Sequence, residues 1–361
     1  MKPPASILVV VTRRIGDVLL TTPLIRSLKR AWPGAAIDAL VFAGTEGVLA
    51  ANPDIRRVIT IAERPRIGDH LRLLAAIARR YDLALSVVPG DRPTLYAWLA
   101  GRQHAGLVVD QPKHRWKTWL LQQWAPFDNH HTHTVLMQMA LADTLAIARC
   151  YDVVAAWSEP DRQEVARQLP FALSEPYAVV HACPKFNYKM WRREAWIEVA
   201  QWLQARRMCV VFSGGSNADE LAYVDAAARE VTGAINLAGK LTLTQVACLL
   251  QHARAYVGPD TAVTHLAAAL GVPVVALYGP TDPVKWGPWP QGYARAVNPW
   301  RRLGTQRVNN VTLIQGAAAC APCFNEGCDR HLASYSDCLQ QLPVSKITAA
   351  LADALEAVPH D

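Results

Sequence analysis

The chain has 361 residues, of which 51% are hydrophobic and 19% charged, an ordinary globular composition with enough length for two domain cores. Lysine plus arginine outnumber aspartate plus glutamate by 37 to 30, giving a formal charge of +7, a balance that favours an anionic partner such as a nucleotide, a phosphorylated glycan or an anionic bilayer surface. The longest apolar runs, such as Ile7–Val11 and Val272–Leu277, fall far short of the roughly 20 residues of a membrane span.

The start, Met1-Lys2-Pro3-Pro4, leads straight into a strand, with no signal-peptide core and no small-residue cleavage site, so a cytoplasmic protein is expected. Residues 6–11, SILVVV, read as a buried strand. The loop 12-TRRIGD-17 follows, and the next stretch carries a helical apolar face through Leu19, Leu20, Leu24, Ile25 and Leu28. Pro23 suits a first-turn position, so that helix should begin near it. Strands are then expected at Ile37–Phe42, Val58–Ile61 and Leu83–Val88, with helices at Glu46–Ala51, His70–Arg80 and Pro93–Leu99. Short links between alternating strands and helices make a doubly wound α/β domain. Residues 101–130 read as irregular, and a helix is expected from Thr134 to about Ala148. The pattern-poor stretch 167-RQLPFALSEP-176 places a domain boundary after residue 172.

Alternation then restarts. Strands are expected at Tyr177–His181, Cys209–Phe212 and Ala255–Val257, with helices at Arg192–Arg206, 218–231 and Thr242–His252. After Trp289 the chain reads as loop-rich until a last helix, Val344–Val358. The expected division is 1–172, 173–343 and a terminal segment 344–361, with ligands held in a cleft between two similar halves.

One stretch organises the second half: 258-GPDTAVTHLAAALGVPVVALYGPTDP-283. Gly258-Pro259 stops a strand, Ala262 to Leu270 has helical spacing, and Gly271-Val272-Pro273 closes the helix. A helix start open at the C-terminal edge of a parallel sheet suits an anion, and His265, one turn in, can add a donor. Asp260 and Thr261 admit two readings, a helix cap or a ligand site. Gly16 suggests a tight turn that sets Asp17 at the equivalent edge of the first domain. There Asp17 reads either as a general base for a hydroxyl nucleophile or as the cap of the following helix.

The loop 181-HACPKFNYKMW-191 offers Lys185 and Lys189 as cations for a diphosphate, and Ser213-Gly214-Gly215 with Asp219 and Glu220 offers a carboxylate for ribose hydroxyls. Neither GxGxxG nor GxxxxGK[ST] occurs, which argues against a dinucleotide dehydrogenase and a P-loop NTPase. No helix-turn-helix, finger or single-strand-binding signature accompanies the basic clusters 113-KHRWK-117 and 300-WRRLGTQR-307, so no nucleic-acid partner is expected. Cys320, Cys323, Cys328 and Cys338 lie close in sequence and admit a structural metal, reduced packed thiols or disulfides. The histidines of 130-HHTH-133 read as a polar, solvated stretch before a metal site.

The runs 16-GDVLLTTPLIRSLK-29, 36-AIDALVFAGTEGVLAANPDI-55 and 258-GPDTAVTHLAAALGVPVVALYGPTDP-283 together resemble the signatures of bacterial lipopolysaccharide heptosyltransferases, glycosyltransferase family 9. GDVLLTTPL, AGTE and the terminal cysteine segment look most like the heptosyltransferase III branch. The resemblance implies a GT-B fold, two Rossmann-like domains facing a cleft with the last helix crossing back to the first. It implies inverting, metal-independent transfer of L-glycero-D-manno-heptose from ADP-heptose to a heptose of the lipopolysaccharide inner core. By resemblance Asp17 is the general base, and Lys189, the helix start at Thr261-Ala262 and His265 hold the diphosphate. Asp260 contacts the heptose, Leu241 and Thr242 the adenine, and Asp219 or Glu220 the ribose. Cys183-Pro184 departs from relatives that carry hydroxyl residues there, and Lys185 is expected to offset that loss. Related autotransporter heptosyltransferases hold iron in a four-cysteine finger, so structural zinc or iron is one expectation for the cysteine segment; no catalytic cofactor is expected. Arg13, Arg14, Lys113, His114, Arg115 and Lys117 are expected to meet core phosphates and the inner-membrane surface, which makes the protein peripheral at the cytoplasmic face. Alternatives are a GT-B transferase for another nucleotide sugar, an epimerase of that type, or a non-catalytic sugar-nucleotide-binding subunit.

Overall fold

The computed structural model describes residues 2–356, and the chain divides into two compact units, 1–156 with 292–298 and 157–291 with 299–361. The first unit is built on β1 (Ser6–Val11), β2 (Ala36–Phe42), β3 (Arg57–Ile61), β4 (Tyr81–Ser86), β5 (Gly101–Val109) and β6 (Gln123–Phe127). They form one sheet in the order β3-β2-β1-β4-β5-β6, and every pair is parallel. Ile7 to Val11 are all fully buried, as a central parallel strand covered on both faces requires. The strand order reverses between β1 and β4, so the loops after these two strands part there and leave a crevice at the sheet's C-terminal edge.

The second unit contains β7 (Tyr177–His181), β8 (Cys209–Ser213), β9 (Ile235–Asn236), β10 (Ala255–Pro259), β11 (Val274–Tyr278), β12 (Gln306–Val308) and β13 (Val311–Gln315). Their order is β12-β13-β11-β10-β7-β8-β9. Only β12 runs antiparallel, against β13. Here the reversal falls between β7 and β10, whose register pairs Val257 with Val180. A core of buried aliphatic and tryptophan side chains lies under this sheet, with Trp191 and Trp196 edge to face at 4.9 Å, a favoured aromatic geometry.

Several elements differ from the sequence expectation. The stretch 101–130 is not irregular: it supplies β5 and β6. Arg102 and Gln103 are exposed at the start of β5, and Trp124 and Pro126 interrupt the pattern of β6, which is an edge strand. The helix Thr134–Thr144 ends before Ala148 because Ala146 adopts φ +54. A helix at Glu159–Gln168 was not expected, its composition being almost wholly polar; a box of Ser158 and Asp161 starts it. Thr244 Oγ1 donates to Asp161 Oδ1 at 2.8 Å, which ties this helix to the second unit, so the units part at 156/157 while the pattern-poor linker lies at 167–176. The last helix runs Val344–Glu356 and packs on Arg193–Gln204, β10, β11 and β13 of its own unit; Val358, its expected end, lies outside the described residues. No helix among the described residues is long and apolar enough to cross a membrane.

A buried clamp locks the other end of the first sheet. Asp38 on β2 is fully buried and accepts from Arg56 at 2.9 and 2.7 Å, Arg57 at 3.0 Å and the Tyr81 hydroxyl at 2.7 Å. Burial pushes the carboxyl upward, but the bonds from Arg56 and Tyr81 and the two guanidinium charges outweigh it and hold its pKa below the usual value. Asp38→Ala should cost about 2 kcal/mol in urea unfolding, since the half-exposed arginines can turn to water but the buried Tyr81 hydroxyl loses the acceptor of its proton and keeps only the bond from Arg57 at 3.3 Å. Because the folded pKa is depressed, the stabilisation from Asp38 is present above its unfolded value and is lost as pH falls through the folded one.

Candidate active site

Four loops rise from the C-terminal edge of the second sheet, after β7, β8, β10 and β11. Since β7 and β10 are neighbours, the loop bearing Lys189 and the loop bearing Asp260 stand side by side. Lys189 Nζ lies 2.5 Å from Asp260 Oδ2, and His265 Nε2 lies 4.0 Å from Asp260 Oδ1. Sequence reasoning placed Lys189 and His265 on a diphosphate and Asp260 on the sugar, and the fold brings the three side chains together. It also pairs Lys189 with Asp260 directly. The ammonium has three donors, so an incoming phosphate oxygen can share it.

The helix Ala262–Leu270 explains how Asp260 is freed for this role. Its N-cap is Thr261, whose Oγ1 accepts from Thr264 N at 3.4 Å. Asp260 lies one residue before the cap and pairs instead with Lys189, so Thr261 and not Asp260 caps this helix. Gly258 has no room for a side chain: a Cβ there would sit 2.3 Å from the Tyr256 hydroxyl. That hydroxyl bonds Thr264 Oγ1 at 2.8 Å, so the glycine lets Tyr256 brace the first turn of the helix. Gly271, at φ +83, closes the other end.

Electrostatically the site is a buried pair beside a neutral imidazole. Asp260 is 6% exposed. Burial raises its pKa, but the Lys189 charge, His265 and hydrogen bonds from Lys189 and Thr281 together bring it below the ordinary value. Burial drives His265 down to about 4, against the pull of Asp260 and with the push of Lys189. His265 is therefore a neutral donor at physiological pH and not part of a cationic field; Lys189 is the charge. The His265 Nδ1 atom is buried with no hydrogen-bond partner among the described residues, and such an orphan calls for a ligand or water.

His181 at the end of β7 was not singled out from sequence. It is 5% exposed, its Nδ1 lies 3.0 Å from Ser213 Oγ, and burial lowers its pKa to about 4. A histidine at the last position of an apolar strand, followed by a motif loop, was the available signal. Both histidines fold neutral while the unfolded chain binds their protons below the ordinary value of 6.5. Unfolding then takes up protons between about pH 6.5 and 4, so their contribution makes stability fall as pH drops through that window. Thermal melts should show this slope in the wild type, and His265→Gln should flatten part of it.

The nucleotide-side residues are distributed more loosely. Glu220 Oε1 accepts from Gly215 N at 2.6 Å, and burial keeps its pKa raised despite that bond. The Glu220 carboxylate is committed to its own loop, whereas Asp219 is exposed. Thr242 caps Leu243–Gln251 through Gln245, with Leu241 half-buried beside it. Gly239 N bonds Gly214 O at 3.0 Å, which joins the 213–216 and 239–242 loops into one rim. Cys183 is buried, with its thiol pushed up to about 12 chiefly by burial, so it stays protonated. Lys185 is exposed and lies over the Phe186 ring at 5.7 Å.

In the first unit Asp17 is the third residue of a short helix, Ile15–Leu19, directly after β1 and half-buried. The N-cap positions are Arg14 for this helix and Thr21 for Thr22–Ala31, so Asp17 is the cap of neither. Gly16 lies inside the helix and not in a turn; the extended Arg14, at ψ 164, makes the bend. Arg13, Arg14, Lys113 and Arg115 are exposed. Lys117 is not available to an outside phosphate: it is fully buried, donating to Pro89 O at 2.5 Å and paired with Asp91 at 2.7 Å.

The structure gives no support for a metal at the cysteine segment. No group of three or more His, Cys, Asp or Glu able to hold a metal occurs among the described residues. Cys338 is buried while Cys320 and Cys328 are exposed, and Cys328 Sγ accepts from Asp337 N at 3.3 Å. All eight cysteines are free thiols. His133 is buried as the cap of Thr134–Thr144, its Nδ1 accepting from Val135 N at 3.1 Å, which separates it from exposed His130 and His131.

Comparison with known proteins agrees with this geometry. The family profile described as Glycosyltransferase family 9 (heptosyltransferase) matches residues 72–325. Lipopolysaccharide heptosyltransferase 3 of Escherichia coli K12 is 32% identical over 286 residues, covering 76% of this chain and 82% of that protein. Among solved structures, E. coli ADP-heptose lps heptosyltransferase II superposes with a TM-score of 0.74 at 21% identity, covering 97% of this chain and 98% of that one. E. coli heptosyltransferase WaaC with ADP gives 0.72 at 20% identity, covering 97% and 99%. The two doubly wound α/β units are thus those of the GT-B fold.

Proposed function

Because the chain belongs to glycosyltransferase family 9, the heptosyltransferases, we propose that it transfers L-glycero-D-manno-heptose from ADP-heptose to a heptose of the lipopolysaccharide inner core, as the heptosyltransferase III branch does. The observation that carries this reading is the buried Lys189–Asp260–His265 cluster at the switch point of the second sheet. It offers one cation, one carboxylate and one unpaired imidazole nitrogen, a set suited to a sugar diphosphate.

In this reading the donor diphosphate meets Lys189, the helix start at Thr261-Ala262 and the neutral N–H of His265. Asp260 accepts from sugar hydroxyls, Asp219 from the ribose, and Leu241 with Thr242 flanks the adenine. Asp17 takes the proton of the acceptor hydroxyl. That oxygen bonds the anomeric carbon as the carbon–phosphate-oxygen bond breaks on the opposite face, which inverts configuration. ADP departs with the electron pair, and the donors fixed at the phosphate stabilise the growing charge. Arg14, Lys113 and Arg115 meet phosphates of the acceptor core at the cytoplasmic face of the inner membrane.

Transfer from ADP-heptose to core acceptors truncated at successive inner-core sugars, read by mass spectrometry, tests the acceptor. The reading expects one heptose added only to acceptors that already carry inner-core heptose; addition to acceptors lacking heptose would overturn the III-like assignment.

A further inference from the structure

The first unit carries a protruding apolar and basic surface of which the transfer reading uses only Lys113 and Arg115. Ile67 and Leu71, one turn apart on Ile67–Ile77, are 79% and 63% exposed, and Trp119 on Trp116–Leu120 is 84% exposed. These helices flank Asp91–Ala100. On one side the Tyr96 hydroxyl lies 2.9 Å from His70 Nδ1, and on the other Lys117 pairs with Asp91 at 2.7 Å. The three helices follow β3, β4 and β5 of one parallel sheet, so they form one row across a single face. Isolated exposed apolar side chains are common, but large ones brought into one row are not.

The charge around this row is one-sided. Arg64, Arg66, Arg92, Lys113 and Arg115 are exposed. Of the neighbouring acids, Asp69 is paired with Arg72 and Asp91 with Lys117, which leaves the cations in excess over Glu63 and Asp110. A protruding tryptophan and two aliphatic side chains ringed by guanidinium groups match the boundary between lipid headgroups and acyl chains.

We propose that this row of helices docks the enzyme on an anionic phospholipid bilayer, with Ile67, Leu71 and Trp119 inserted at the headgroup boundary and the surrounding cations on lipid phosphates. The inference rests on the reading that the acceptor is a membrane glycolipid, but its test needs no turnover. Flotation with phosphatidylglycerol-containing vesicles should recover the wild-type protein, neutral phosphatidylcholine vesicles should not, and added salt should weaken recovery. Ile67→Ser/Leu71→Ser/Trp119→Ser should lower partitioning by roughly tenfold or more while transfer to a delipidated, water-soluble core acceptor stays at the wild-type rate. Should that variant fail to give a wild-type circular dichroism spectrum, Arg64→Glu/Arg66→Glu provides the second arm, with the same loss of recovery expected. Equal recovery of wild type and variants would overturn the proposal. So would recovery only when the vesicles carry acceptor glycolipid, or wild-type self-association in sedimentation that the triple variant abolishes. Loss of transfer to the soluble acceptor in the wild type would count against the transferase reading alone.

Discussion

Replacing Asp17 with asparagine should lower kcat by about a thousandfold, the range general-base removal produces, and leave ADP-heptose affinity within about twofold of wild type. The size of the effect follows from the chemistry. A sugar hydroxyl is a poor nucleophile until its proton is taken, and the amide keeps the shape of the carboxylate without its basicity. The split between kcat and affinity follows from location: Asp17 belongs to the first unit, directly after β1, whereas the phosphate cluster is built entirely from the second. Asp17 is the N-cap of neither neighbouring helix, and an unchanged melting temperature of the variant would separate lost chemistry from lost folding. Near-normal turnover by Asp17→Asn would remove it as the base.

Lys189→Ala should have the second large effect, of a different form. It removes the cation paired with the buried Asp260 carboxylate, which is 6% exposed, and with it the charge that the proposed mechanism offers to the leaving diphosphate. Both KM for ADP-heptose and kcat should suffer, with kcat/KM down by about a thousandfold, comparable to losing an oxyanion donor. Calorimetry should show ADP binding weakened by about tenfold or more. Because Asp260 and Lys189 touch, their effects should not add. In Lys189→Ala/Asp260→Asn the stability loss of the single lysine variant should be partly restored, since the buried charge without a partner is gone, but transfer should not return. Unchanged ADP affinity in Lys189→Ala would contradict the phosphate role.

The backbone of the candidate phosphate site was legible in the sequence because it is punctuated. Gly258-Pro259 and Gly271-Val272-Pro273 bracket a helix whose ends are set by residues with few alternatives, and the structure puts Ala262–Leu270 there. What sequence could not supply was partnership. Lys189 and Asp260 are remote in the chain and meet only because β7 and β10 are adjacent; His265 reads as a possible cation until its burial makes it neutral. Lys117 looked like a surface charge inside a basic run but faces inward to Asp91. His133, in a stretch read as polar and solvated, is instead buried and caps a helix. The strands β5, β6 and β12 were missed because their exposed or edge positions carry arginine, glutamine or proline, which breaks a periodic signal; β13, VTLIQ, is a buried inner strand between β12 and β11 that was passed over inside a stretch read as loop-rich. The cysteine segment shows the converse, a ligand-like spacing whose residues the fold distributes between buried and exposed positions.

The central claim is that the Lys189–Asp260–His265 cluster holds an ADP-activated heptose and that the enzyme passes this sugar on. Its most direct test is a donor panel of ADP-heptose, ADP-glucose, UDP-glucose and UDP-N-acetylglucosamine incubated with heptosylated core acceptor, with nucleotide release and product mass followed together. The account predicts ADP release and a one-heptose mass increase with ADP-heptose alone. Turnover of another sugar nucleotide in its place, or binding of ADP-heptose with no transfer, would contradict it.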